Sequence, residues 1–154
     1  QVRVAARDER SGVLGSASQW VVIPDLSTRQ LSLSSLIVGL EGVGERGAEG
    51  GHIQWSVDKR FARGSRLRFM TFVYNAGAPA NLAARVQVYK DGREVTATPF
   101  QKVVTEAQTD PARVPFTAEI NLGGLQPGRY TLQVTVEDRI AQHTASQQTA
   151  FYVQ

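Results

Sequence analysis

The residues able to do chemistry are few in this chain, and their spacing gathers none of them into a familiar reaction centre. His52 and His143 are the only imidazoles, and neither stands in a His-x-x-x-His or His-Glu pair that would seat a transition metal. No G-x-S-x-G elbow offers a nucleophilic serine on a strand-turn-helix. With two histidines there is little material for a Ser-His-Asp triad. The absence of cysteine removes thiol catalysis, Cys-ligated zinc and disulfide staples together. Gly42-Val43-Gly44-Glu45-Arg46-Gly47 matches the spacing of a dinucleotide fingerprint, but another strand follows it. A pyrophosphate needs a helix N-terminus there, so a glycine-rich loop is expected instead. Asp25-Leu26-Ser27-Thr28-Arg29 begins like an Asp-x-Ser-x-Ser cation site, then puts Arg29 where the second serine is needed. These absences point to a non-enzymatic chain without a cofactor.

One charge cluster stands out. Lys59, Arg60, Arg63, Arg66 and Arg68 crowd one short stretch around Phe61, with only Asp58 in opposition. As a ridge they would bind an anionic partner by local field. Alternatively, Arg66 and Arg68 are the solvent-facing positions of a strand whose inward residues are Leu67, Phe69 and Val73. The overall balance of 17 basic against 14 acidic residues is mild and does not indicate nucleic-acid binding.

The elements that must position these groups show a period of two. Phe116, Ala118, Ile120 and Leu122 alternate with polar residues, as do Leu132, Val134 and Val136. Ile53, Trp55 and Val57 show the same pattern, which makes Trp55 an expected core residue. Successive side chains of a strand face opposite ways, so each segment buries one face and wets the other. Met70, Phe72 and Tyr74 oppose Leu67 and Phe69, so that strand should be covered on both faces. Asp91-Gly92 accepts the positive φ angles of a tight hairpin turn between Val88 and Val95. Around Ser34-Ser35 the apolar parity shifts, which implies either a β-bulge or a strand crossing between sheets. No apolar stripe at helical spacing is long enough to predict a helix. Nor does any apolar run reach the length needed to cross a bilayer. No basic-then-apolar leader opens the chain, and any export signal is expected to lie outside it.

The two ends repeat one another. Val4, Ala6 and Asp8 precede Ser16-Ala17-Ser18-Gln19 and an apolar run to Ile23. Val134, Val136 and Asp138 precede Thr144-Ala145-Ser146-Gln147 and an apolar run to Val153. The offset reads as 130 before the turn and 128 after it, as if one loop carried a short insertion. Residues 1–24 are therefore expected to be the terminal hairpin of a preceding homologous domain, and residues 25–154 a complete one. A single sandwich using both hairpins is the rival arrangement. A bare hairpin could also pair two chains into a dimer.

Leu125-Gln126-Pro127-Gly128-Arg129-Tyr130, followed by strict alternation, has the form of a tyrosine corner, with Gly128 making the turn and Tyr130 bonding back to backbone. The fold is therefore predicted to be all-β, an immunoglobulin-like or fibronectin-like antiparallel β-sandwich with very little helix. Gly15-Ser-Ala-Ser-Gln-Trp-Val-Val-Ile-Pro-Asp25, Phe61-Ala-Arg-Gly64, Phe72-Val-Tyr-Asn75 and Pro127-Gly-Arg-Tyr130 resemble the C-terminal region of large bacterial von Willebrand factor A-related proteins, as does Glu137-Asp-Arg139. The resemblance implies an extracytoplasmic β domain that brings no catalytic residues. The expected role is a structural or protein-interaction module, contacting protein partners or neighbouring domains, without nucleic acid and without membrane insertion. A carbohydrate-binding module stacking sugars on Trp20, Trp55 or Tyr152 is the alternative.

Overall fold

A computed structural model describes residues 1–19, 25–41, 53–77, 81–104, 110 and 112–154. Thirteen strands follow one another among them: β1 (Val2–Arg7), β2 (Leu14–Gln19), β3 (Ser32–Leu33), β4 (Ile37–Glu41), β5 (Ile53–Trp55), β6 (Arg60–Phe61), β7 (Arg66–Tyr74), β8 (Leu82–Lys90), β9 (Arg93–Ala97), β10 (Gln101–Lys102), β11 (Arg113–Asn121), β12 (Gly128–Asp138) and β13 (His143–Val153). A single 3-10 turn, Leu26–Thr28, is the only helical element among the described residues.

Two sheets pack face to face. One runs β10-β8-β12-β13-β6, with β9 also on β8; the other runs β11-β7-β4-β5, with β3 also on β7. All neighbouring strands are antiparallel except β6, which joins β13 in parallel. In immunoglobulin terms β6-β13-β12-β8-β9 is A′-G-F-C-C′, and β4-β7-β11 is A-B-E. The chain is an all-β, immunoglobulin-like sandwich.

The core lies where the period of two placed it. Leu132, Val134 and Val136 on β12 are wholly buried and meet Leu67, Phe69 and Val73 on β7 in one apolar cluster. Each such side chain contributes about 1.5–3 kcal/mol of transfer free energy. On the outer faces of β7 and β12 the intervening residues stay polar or partly exposed. Met70, Phe72 and Tyr74 are half-buried on the solvent side of β7, intermediate between covered and open.

The parity shift near Ser34 is a bulge within one sheet. Leu33 pairs with Val73 and Ile37 with Met70, so the β3–β4 side carries one residue more than β7. Ser34 fills the gap. Its N–H donates to the Phe72 carbonyl at 2.9 Å, and its Oγ accepts from the Phe72 N–H at 3.0 Å. At the β8–β9 turn Asp91 and Gly92 have φ of 50° and 77°, the left-handed pair that a two-residue turn demands.

Trp55 departs from the expectation of a core position. It is 42% exposed, and Val57 is almost fully exposed. The reason is register: Trp55 lies opposite Gly39, which follows inward Val38 and so shares the outer face with Arg68. β5 also ends at Trp55, so Val57 belongs to a turn rather than to the strand.

β1 and β2 form a separate two-stranded sheet, and every β1 residue is exposed. Here the pairing corrects the offset read from sequence. Arg7 pairs with Leu14 as Glu137 pairs with Thr144, so the two hairpins correspond at a constant 130 with turns of equal length. The Ser-Ala-Ser-Gln match is displaced by two positions, which keeps side-chain parity and so escapes notice in the sequence.

Candidate functional site

The cation cluster is divided by the fold. Arg60 lies on β6, whose neighbour Phe61 is buried, so Arg60 faces outward from the six-stranded sheet. Its guanidinium sits 5.0 Å from the centre of the Tyr152 ring. Arg66 and Arg68 lie on β7 and face outward from the other sheet, on the opposite side of the sandwich. Both reach Glu119 on β11, at 3.2 and 3.5 Å. Arg63 is exposed in the turn between the sheets, where its N–H donates to the Gln154 carbonyl. Lys59 has a left-handed backbone, φ 54°, and its ammonium donates to Thr149 Oγ1 at 2.8 Å. The five cations therefore do not form one ridge, and Lys59 serves as a strut between a turn and β13.

Asp58, beside this turn, is held below the usual carboxylate range by the Ser56 hydroxyl and then by the Arg60 N–H. This exposed carboxylate shapes the turn and lines an open surface depression with Trp55, Ser56 and Arg60.

The most elaborate polar junction is built on a residue that the sequence marks only as part of the terminal repeat. Asp138, at the end of β12, is 1% exposed. Its Oδ1 accepts from the N–H groups of Ile140 and Ala141 at 3.0 and 3.3 Å, and its Oδ2 from Gly77 at 3.1 Å. Burial by itself would raise its pKa, but the N–H groups of Ile140, Ala141, Gly77 and Asn81 outweigh it and hold the carboxyl low. One carboxylate thus ties the β12–β13 turn to the β7–β8 connection. Nearby Asn75, at φ 57°, donates from Nδ2 to the Leu26 and Gln30 carbonyls at 3.2 and 3.1 Å. No spacing rule could have found Asn75's partners, because they lie far away in sequence.

At the other end of the sandwich Tyr130 is buried, and its hydroxyl donates to the Gln126 carbonyl at 2.7 Å. Gly128 has φ 146°, and a Cβ there would meet the Lys90 ammonium at 3.3 Å. That ammonium also lies 5.2 Å from the Tyr130 ring centre.

The aromatic candidates for a sugar platform also separate. Trp55 faces out from one sheet, whereas Tyr152 faces out from the other beneath Arg60. The outer face of the six-stranded sheet also carries Gln87, Gln133 and Gln148 in one row. Gln148 Nε2 donates to Gln133 Oε1, and Gln133 Nε2 to Gln87 Oε1. These amides satisfy one another and bind the strands together.

His143 is exposed at the start of β13. His52, Trp20 and the glycine-rich Gly42–Gly47 motif lie outside the described residues. Among the described residues no group of three or more His, Asp or Glu side chains could hold a metal ion. Nor, among them, is any helix long and apolar enough to cross a membrane.

No family model and no curated protein matches the chain. Among solved structures it is similar to the superoxide reductase (neelaredoxin) from Ignicoccus hospitalis, at TM-score 0.44 and 10% identity over 85% of this chain and 87% of that one. It is also similar to the CARDB domain of a Pyrococcus furiosus protein in complex with di-metal ions, at TM-score 0.38 and 13% identity over 81% and 94%.

Proposed function

We propose that this chain is a non-catalytic spacer and protein-interaction module from a tandem series of immunoglobulin-like domains. The observation that carries the reading is the placement of entry and exit at opposite ends of the sandwich. The entering segment, Leu26 to Gln30, is tied to Asn75, just beyond the C-terminal end of β7. The last strand finishes at the other end, where Gln154 exchanges backbone bonds with Phe61 and Arg63 ahead of β7. β7 has nine residues, so the two ends are about 27 Å apart. Domains joined in that way extend end to end rather than fold side by side.

The hairpin of β1 and β2 fits this reading as the last two strands of the domain before. Val4, Ala6, Val13 and Ala17 line a shallow depression of about 620 Å³ on one of its faces. On β12, the equivalent face is buried in the core. Residues 1–24 would then belong to the preceding unit and residues 25–154 to this one, in an extracytoplasmic protein as the von Willebrand factor A-related resemblance suggests. The division of the cations and aromatics between two faces favours contacts with protein over a single sugar platform.

The test is small-angle scattering on a chain lengthened to include the whole preceding domain. An elongated particle about twice the length of one sandwich supports the spacer reading. A compact particle with the sandwiches side by side refutes it.

A further inference from the structure

We propose that the free edge of β13 is a pairing site for a second copy of this chain, through antiparallel β13–β13 addition across a twofold axis centred on Ser146. β13 pairs with β12 along its whole length in an unbroken register. On its other side β6 pairs with Tyr152 and Val153 alone, while the Lys59 ammonium reaches Thr149 Oγ1 and β3 packs nearby without pairing to it. The Tyr152 N–H donates away from β12, to the Lys59 carbonyl, so by alternation the N–H groups of Thr144, Ser146, Gln148 and Ala150 point the same way. Among the described residues only one of these four has a partner: the Gln148 N–H is closed by the Gln147 side-chain carbonyl at 3.0 Å.

Natural sheet edges are blunted by lysine, proline, bulges or inward charges. From His143 to Ala150 this edge reads His-Thr-Ala-Ser-Gln-Gln-Thr-Ala, with no proline, no lysine and no formal charge other than a protonatable histidine. It has no bulge either. The stretch is bounded at one end by Gln142, whose φ of 55° ends the extended backbone, and at the other by β6.

Those bounds choose the register. An axis on Ser146 sets Ser146 against its own copy and Thr144 against Gln148, all of them residues with edge-ward N–H groups. An axis on Gln148 would drive Thr144 of the second copy into Tyr152, where β6 already sits. An axis on Thr144 would set Ser146 against left-handed Gln142. Only the Ser146 axis uses the free stretch on both copies, and it closes as a symmetric dimer.

Sedimentation of the full chain over a concentration series tests this, together with full-length variants checked for native secondary structure. Wild type should show a reversible monomer–dimer equilibrium. Ser146→Lys sets two like charges face to face on exposed positions and should weaken dimerisation by about two- to fivefold. Because the chain has no cysteine, Ser146→Cys should form an intermolecular disulfide under mild oxidation. Thr144→Cys alone should not, whereas Thr144→Cys with Gln148→Cys should. A monomeric wild type up to its solubility limit overturns the proposal. So does a dimer that Ser146→Lys leaves equally tight, or equal cross-linking by Ser146→Cys and Thr144→Cys.

Discussion

Asp8 and Asp138, 130 residues apart, receive the same pair of backbone hydrogen bonds from the residues two and three places ahead. The Asp8 bonds come from Arg10 and Ser11 at 2.8 and 3.4 Å, and the turn closes at Gly12 with φ 71°. In the other copy Gln142 takes the left-handed position at 55°. The difference lies in what surrounds them. Asp8 is exposed, whereas Asp138 is buried and also holds Gly77.

Substitution should therefore separate the two. Asp138→Ala leaves several N–H groups without their charged acceptor and should cost about 2–3 kcal/mol in urea unfolding. Asp138→Asn keeps the shape and one acceptor oxygen and should cost less. Asp8→Ala should leave the main unfolding transition unmoved. Equal effects at both positions would mean that the hairpin shares the stability of the sandwich.

The same carboxylate sets an acid dependence. Its folded-state pKa lies below the ordinary value of 3.8, so its contribution is complete above that value and fades as pH falls through the folded pKa. Stability measured against pH should fall below about pH 4 in the wild type. In Asp138→Asn the part of that slope due to this group should vanish.

Tyr130→Phe removes one hydroxyl that donates to the Gln126 carbonyl. Gln126 is exposed and its carbonyl can turn to water, so the loss should be about 1 kcal/mol, read from the shift in urea midpoint. A loss several times larger would mean that the hydroxyl also orders the turn at Gly128.

Neutralising Arg60 and Arg66 checks the division of the cations. They face opposite sides of the sandwich, so retention on an anionic resin should fall in the double variant by no more than the sum of the single effects. A strong excess in the double variant would restore one common binding ridge.

Much of the fold was legible because burial in a sandwich follows strand parity. Leu132, Val134 and Val136 alternate in sequence and are buried for that reason. Asp91-Gly92 and Tyr130 were legible through backbone rules that act within a few residues. Trp55 misled because parity alone does not say which face is inward at a short edge strand; that depends on its pairing with Gly39. For the cation cluster, parity did place Arg66 and Arg68 on the solvent side of their strand, but it could not say whether the other cations share that side. Arg60 and Arg66 are six apart in sequence but sit in different sheets, and only topology separates them. The joining role of Asp138 needed Gly77, a residue far off in sequence.

The most direct measurement is the thermal unfolding of residues 25–154 alone, compared with the whole chain at equal concentration. If residues 1–24 belong to a preceding domain, the shortened chain should fold and unfold cooperatively at the same midpoint as the full one. A shortened chain that fails to fold, or melts many degrees lower, would contradict this and make the hairpin part of a single, larger sandwich.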